Sequence, residues 1–287
     1  MTVVHATDSA AAHGAATQST NHSTIGNGAA ALYTDLLKRS VCNFIYEDDL
    51  DLMYGERTFD NERGKWRTTA AAQCDRESRY FGRIWPSKAH TMLGMARLDN
   101  VQYCVEEVLR HDVPGDLVET GVWRGGVTIL MRGLLKAHGA DDRRVWVVDS
   151  FEGLPAANRA RYPKESELEL DKFVELSVPL DEVRRNFEAY GLLDDQVRFL
   201  KGWFRDTLPT APIERVAVMH LDGDLYESTT DALVNLYPKL SPGGFVIVDD
   251  YGLLDCCTEA VEDFRRNHGI ATELTPLPWS GAYWQKE

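Results

Sequence analysis

The sequence contains no apolar run near the roughly 18 residues that cross a bilayer, and Met1 to Ala30 has neither the cationic start nor the apolar middle of a signal peptide. A soluble, cytoplasmic protein with no membrane partner is expected. Basic clusters able to follow a phosphate backbone are also lacking, and 31 Lys and Arg against 45 Asp and Glu leave a net charge of −14. That balance excludes nucleic acid as a natural partner. Cysteine is sparse: Cys42, Cys74, Cys104, Cys256 and Cys257 are odd in number and show no C-x-x-C spacing, which removes zinc and dithiol redox sites and predicts reduced thiols. The adjacent Cys256 and Cys257 read as small apolar filler, because a vicinal disulfide is strained. No internal repeat and no G-x-G-x-x-G fingerprint occurs.

What is present is a chain of 287 residues at 44% hydrophobic and 26% charged, enough to bury a sizeable core. Of the first thirty residues, 21 are Ala, Thr, Ser, Gly or Asn, and none is Lys, Arg or aromatic. Such a composition cannot offset the entropy of ordering, so residues 1–30 are expected to be a disordered tail. Leu32, Leu36, Leu37, Val41 and Phe44 then recur at helical spacing. The stretch from Glu47 to Trp85 is polar, aromatic-rich and without a clear period, and predicts an irregular cap. Within it, Trp66, Tyr80, Phe81 and Trp85 either help bind an acceptor or pack on the surface. Leu98, Val101, Val105 and Val108 line one face of a second helix that ends near Pro114-Gly115.

From there apolar runs alternate with helical patterns. Asp116 to Thr120 is a first strand, followed by a helix over Val127 to Leu135. Val145 to Asp149 is a second strand. A helix over Leu180 to Tyr190 stops at Gly191 before a third strand, Val197 to Leu200, and Val216 to Leu221 is a fourth. Ser228-Thr229-Thr230-Asp231 resembles a capping box opening the next helix. Pro242-Gly243-Gly244 turns the chain into Phe245 to Val248, a helix around Ala260, Val261 and Phe264 ends at Gly269, and Ala282-Tyr283-Trp284 forms a last strand. This order predicts an α/β fold with a doubly wound, mostly parallel sheet, whose ligands sit at the carboxyl ends of the strands.

Those ends carry residues a core does not need. Glu119-Thr120-Gly121-Val122-Trp123-Arg124-Gly125-Gly126 is a glycine-bearing strand-to-helix turn, with free N–H groups at the helix start; a tight turn without a ligand is an equal alternative. Asp149 either terminates its strand or receives two hydrogen bonds from a ribose diol. His220-Leu221-Asp222-Gly223-Asp224 and Val248-Asp249-Asp250-Tyr251 bring acidic clusters together. Crowded carboxylates repel unless a cation neutralises them, and an oxygen-only donor set suits Mg²⁺; solvated loop acids are the plainer alternative.

Together with Asp149-Ser150-Phe151-Glu152-Gly153-Leu154-Pro155 and Lys201-Gly202-Trp203-Phe204, these segments resemble the macrocin O-methyltransferase family, over about Leu32 to the C-terminus. The resemblance implies a seven-stranded class I methyltransferase core over residues 111–287 behind an N-terminal helical cap over 31–110. It implies S-adenosyl-L-methionine and Mg²⁺ as cofactors, a sugar or glycoside hydroxyl of antibiotic biosynthesis as acceptor, and a homo-oligomer. Carried over by position, Glu119, Thr120 and Gly121 would hold the methionine part of the cofactor and Asp149 with Ser150 its ribose. Trp203, after Gly202, would lie near the adenine, and Thr91 and Met92 would approach from the cap. Asp222, Asp249 and Asp250 would ligate Mg²⁺, and Asp222 would be the catalytic base. The segment from about Gly64 to Arg83 is longer than the family's usual linker. The 25 residues from Leu154 to Val178 are expected to form a lid.

Two rival readings remain. Leu221-Asp222-Gly223-Asp224 and Val248-Asp249-Asp250 also resemble the acidic strands of haloacid-dehalogenase-like phosphatases, although few residues separate them and Tyr226 stands where Thr or Val is usual. The other is a non-catalytic adenosine-ligand-binding subunit, which retention of all three metal-type aspartates opposes.

Overall fold

The computed structural model describes residues 28–165 and 169–287. Most of the expected disordered tail, residues 1–27, lies outside the described residues, and its last two belong to a helix, α1 (Ala29–Val41). The Glu47–Trp85 stretch is not irregular. It forms an antiparallel hairpin of β1 (Leu50–Asp60) and β2 (Lys65–Gln73), followed by a short α2 (Arg76–Phe81). Much of both strands is exposed or half-buried on either face, so no alternation marks them in the sequence. The hairpin turn is written in Asp60, whose carboxylate accepts the Glu62 and Arg63 N–H groups, and in Gly64 at φ 63°.

The core then runs α3 (Met95–Arg110), β3 (Asp116–Thr120), α4 (Gly126–Ala137), β4 (Val145–Asp149), α5 (Leu180–Ala189), β5 (Val197–Lys201), α6 (Phe204–Thr207), β6 (Val216–Leu221), α7 (Tyr226–Leu236), β7 (Leu240–Val248), α8 (Asp255–Asn267), β8 (Thr275–Pro276) and β9 (Ala282–Gln285). The sheet has seven strands in the order β5-β4-β3-β6-β7-β9-β8. β5, β4, β3, β6 and β7 are parallel, while β9 is antiparallel to β7 and to β8. β8 has no counterpart in the sequence reading, being two residues long. β7 begins earlier than read, because Leu240 already pairs with Val216 ahead of the Pro242-Gly243-Gly244 irregularity. Likewise α7 starts at Tyr226, and Ser228 and Thr229 are buried inside its first turns rather than capping it.

Alternate strand residues feed two cores, as the pleat requires. Leu117, Val147 and Ile247 pack with Leu98, Val101, Leu130, Leu134 and Phe187 of α3, α4 and α5 on one face. Val118, Val148, Met219 and Val246 pack with Leu233 and Phe264 of α7 and α8 on the other. All five cysteines are unpaired thiols. Among the described residues no helix is long and apolar enough to cross a membrane.

Candidate active site

Backbone hydrogen bonds continue past the strands and align their carboxyl ends. Gly202 N–H donates to the Asp149 carbonyl, Gly121 N–H to that of Val148, Asp222 N–H to that of Thr120, and Asp249 N–H to that of Leu221, each at 2.9 Å. The switch from β3 outward to β4 on one side and β6 on the other opens a cavity of about 390 Å³ at this edge. Thr91, Met92, Glu119, Gly121, Asp149, Ser150 and Trp203 line it, as do Asp222, Asp249 and Asp250. Thr120 and Gly202 do not: Thr120 is fully buried behind the wall, and Gly202 serves by its backbone bond to Asp149. Of the four cap aromatics, only Trp85 lines the cavity; Trp66 packs edge-on against Phe59, and Tyr80 against Phe81.

Gly121 makes the turn out of β3 at φ 85°, and a Cβ there would lie 1.7 Å from the Asp222 carbonyl oxygen. Only glycine fits. Two residues earlier, buried Glu119 accepts the Thr128 N–H near the start of α4 (3.1 Å) and faces His220 Nδ1 at 3.2 Å. Burial raises the Glu119 carboxyl above its usual range, opposed by the His220 hydrogen bond. Asp149 accepts the Val122 N–H on Oδ2 (2.8 Å) and the Phe151 N–H on Oδ1 (2.7 Å), so its carboxylate ties the two adjacent strand-end turns together. Burial raises it too, against those backbone donors. Ser150 Oγ donates to the Gly153 carbonyl at 2.7 Å, closing the next turn.

The cap meets this wall through His90-Thr91-Met92. The His90 carbonyl accepts the Gly126 N–H at 2.8 Å, at the start of α4. Arg79, buried, binds the carbonyls of Cys42, Thr91 and Leu93 and so fixes the segment. Nothing in the sequence flags Arg79 beyond a cation in an aromatic-rich stretch.

On the other side of Gly121, oxygens of Asp222, Asp224 and Asp250 lie within 4.8 Å of one another. Asp224, at φ 58°, donates its N–H to Asp250 Oδ2 at 3.0 Å. Burial first, then the neighbouring aspartates, push the Asp222 and Asp250 carboxyls well above the usual range, and Asp224 up to about 7. Asp249 is turned differently: it pairs with buried Arg97 of α3, which also donates to Ser280 Oγ at 3.2 Å. Its Oδ1 is buried without a hydrogen-bond partner among the described residues, 3.9 Å from an equally unpartnered His220 Nε2. The expected trio thus divides, with Asp224 joining Asp222 and Asp250 and Asp249 standing beside them. The sequence signal for Arg97 is a cation next to Leu98 on the apolar stripe of α3.

The structure and the sequence agree with known proteins. Residues 30–286 match the family model described as macrocin-O-methyltransferase (TylF). The chain is 54% identical over 255 residues to the 8-demethyl-8-(2,3-dimethoxy-alpha-L-rhamnosyl)-tetracenomycin-C 4'-O-methyltransferase of Streptomyces olivaceus, covering 88% of this chain and 92% of that one. It is 50% identical over 258 residues to the mycinamicin III 3''-O-methyltransferase of Micromonospora griseorubida, covering 89% and 96%. The solved O-methyltransferase NovP superposes with a TM-score of 0.80 at 49% identity, over 90% of this chain and 99% of that one. Calicheamicin methyltransferase CalS11, at a TM-score of 0.54 and 23% identity over 67% of this chain and 79% of that one, shares the fold. The phosphatase and non-catalytic readings have no support among these relatives, and the chain, an O-methyltransferase, belongs to the macrocin-O-methyltransferase family.

Proposed function

We propose that the protein transfers a methyl group from S-adenosyl-L-methionine to a hydroxyl of a deoxysugar in antibiotic biosynthesis, with the help of Mg²⁺. The observation that carries this reading is the shared cavity, in which Gly121 separates the Glu119 and Asp149 carboxylates from the Asp222, Asp224 and Asp250 cluster by one turn of backbone. The named relatives act on a rhamnosyl-tetracenomycin and on mycinamicin III, which supports a sugar-bearing acceptor. Residues 31–110 would then be a cap over the cofactor site of residues 111–287, since Thr91 and Met92 reach the cavity from that side.

The donor set fits a hard divalent cation: several carboxylates crowd a part-buried site, burial and then mutual repulsion favour their protonated forms while no cation is bound, and Asp249 keeps a buried oxygen unpartnered among the described residues. When bound, S-adenosylmethionine supplies an electrophilic sulfonium methyl and Mg²⁺ supplies the Lewis acidity that lets a sugar hydroxyl act as an alkoxide near neutral pH. Asp222, Asp224 and Asp250 would hold the cation, with Asp249, whose Oδ1 is unpartnered among the described residues, standing beside them. Asp149 would accept a ribose diol, Glu119 would sit at the amino-acid end of the cofactor, and Trp203 would flank its adenine. Asp222 would accept the acceptor's proton at its carboxylate, and the cap would hold the hydroxyl in line and exclude water. Mass spectrometry of a panel of deoxysugar glycosides incubated with S-adenosylmethionine and Mg²⁺ tests the reading: one acceptor should gain a methyl, and none gaining one would overturn it.

A further inference from the structure

In the sheet β6 lies between β3 and β7; Glu119 and His220 are direct partners across β3 and β6, and His220 stands opposite Ile247 on β7. Side chains alternate along a strand, so Glu119, His220 and Asp249, two residues beyond Ile247, share the face that α3 and α4 cover. They form a row. Glu119 Oε1 meets His220 Nδ1 at 3.2 Å, His220 Nε2 faces Asp249 Oδ1 at 3.9 Å, and Arg97 pairs with Asp249 Oδ2. All four side chains are buried, but Glu119, Asp249 and Arg97 line the cavity, whereas His220, at 0% exposure, does not.

An apolar side chain would serve the core at this place, as Val218 does two residues earlier on the same face of β6. Histidine is the more costly choice: its Nε2 and Asp249 Oδ1 are both buried without a hydrogen-bond partner among the described residues, and such atoms lower stability. Packing alone does not account for it, but the spacing of the strands does. Two inter-strand steps of about 4.8 Å put Glu119 and Asp249 roughly 10 Å apart, too far to touch, and the imidazole turns one nitrogen toward each. The outer ends of the row are anchored. Glu119 Oε2 accepts the Thr128 N–H at 3.1 Å, and Arg97 donates to Ser280 Oγ at 3.2 Å and to the Gly82 carbonyl at 3.1 Å. Only the step from His220 to Asp249 is open, by about 1 Å beyond a hydrogen bond.

We propose that His220 is a positioning residue that couples the two ligand sites, relaying the placement of Glu119, at the amino-acid end of the cofactor, to Asp249, beside the cation, so that cofactor and Mg²⁺ each bind tighter when the other is present. The inference rests on the methyltransferase reading and adds how its two sites communicate. A ligand that fixes the Glu119 carboxylate fixes the ring that bonds it, and a fixed ring holds Asp249 Oδ1 in one place, so the cation meets a neighbour already ordered. Asp249 bears on the cation site in two ways. After burial it is the strongest influence on the Asp222 carboxyl, and its N–H is tied to the carbonyl of Leu221, the residue before Asp222. The coupling is reciprocal by linkage. Direct charge acts in the opposite sense, because the sulfonium and the cation repel, so the relay is isolated with a cofactor product that lacks the sulfonium.

Calorimetry in one buffer tests this, with Mg²⁺ titrated in the presence and absence of saturating S-adenosylhomocysteine, and S-adenosylhomocysteine in the presence and absence of Mg²⁺. In the wild type each ligand should tighten the other about fivefold, by the same factor both ways. An asparagine side chain places its amide near the position of Nδ1 and a glutamine near that of Nε2. His220→Asn should therefore keep S-adenosylhomocysteine affinity within a few-fold, and His220→Gln should do the same for Mg²⁺, while the coupling factor falls to one in both. A merely structural histidine would lower stability in urea and leave the factor unchanged. Should one variant fail to fold, the other decides; unfolding of both would make His220 structural and overturn the relay. No coupling in the wild type, or a factor that survives in a folded variant, overturns the relay while both ligands still bind. Failure of S-adenosylhomocysteine or Mg²⁺ to bind the wild type at all overturns the methyltransferase reading and the relay with it.

Discussion

The backbone of Gly121 passes so close to Asp222 that a methyl group on Gly121 would sit 1.7 Å from the Asp222 carbonyl oxygen. The turn facing the expected cofactor and the strand end bearing the expected base are therefore one packed unit, and neither can move without the other. Gly121→Ala must both hold alanine at a positive φ and part β3 from β6. A loss of at least about 2 kcal/mol in stability is expected, measured by urea denaturation, together with weakened S-adenosylmethionine binding by calorimetry. Wild-type stability and affinity in this variant would show the contact to be yielding.

Asp149 is expected to govern cofactor affinity, and the structure sharpens how. Both of its oxygens already accept a backbone N–H, from Val122 and Phe151. An amide at this position would aim a donor at one of those donors, so Asp149→Asn should be no milder than Asp149→Ala. Either should weaken S-adenosylmethionine binding by roughly 1.5 to 3 kcal/mol, the range for hydrogen bonds to a charged group. Titration calorimetry reads this directly, and an unchanged dissociation constant would remove Asp149 from the cofactor site.

The strand ends were legible in the sequence because each carries carboxylate or glycine where an apolar strand stops, and strand ends are where this fold meets its ligands. Three features were not. The β1–β2 hairpin is exposed or half-buried along much of both faces, so it leaves no period-two pattern. Asp224 stands in the sequence motif, but that its carboxylate joins Asp222 and Asp250 depends on a left-handed residue at the turn. Arg97 reaches Asp249 across 152 residues of sequence, and only tertiary packing makes that pair.

Arg97 and Asp249 are both nearly inaccessible, so the pair can be broken only at the cost of leaving one buried charge alone. Arg97→Met should destabilise the protein by about 3–5 kcal/mol and abolish activity. The double variant Arg97→Met, Asp249→Leu should recover a large part of the stability but none of the activity, because it removes the stranded charge along with a candidate metal ligand. Thermal denaturation of the two single variants and the double variant measures the coupling; additive losses would mean the ion pair does not hold α3 to the end of β7.

Asp222 is asked to do two things, to hold a divalent cation with its neighbours and to take the acceptor proton. Asp222→Asn keeps the shape and removes the charge, so turnover should fall by at least about 10²-fold, the usual loss with a general base, and Mg²⁺ binding should weaken in calorimetry. S-adenosylmethionine affinity should stay within a few-fold of wild type, because Glu119 and Asp149 stand on β3 and β4 and keep their own backbone donors. Chelation with EDTA should stop methyl transfer and added Mg²⁺ restore it. Burial and the neighbouring aspartates raise the Asp222, Asp224 and Asp250 carboxyls while no cation is bound. Cation binding must therefore release protons, and apparent Mg²⁺ affinity should rise with pH. Full-rate methylation by the chelated enzyme, or near-normal turnover in Asp222→Asn, would leave the acidic cluster with a structural role only.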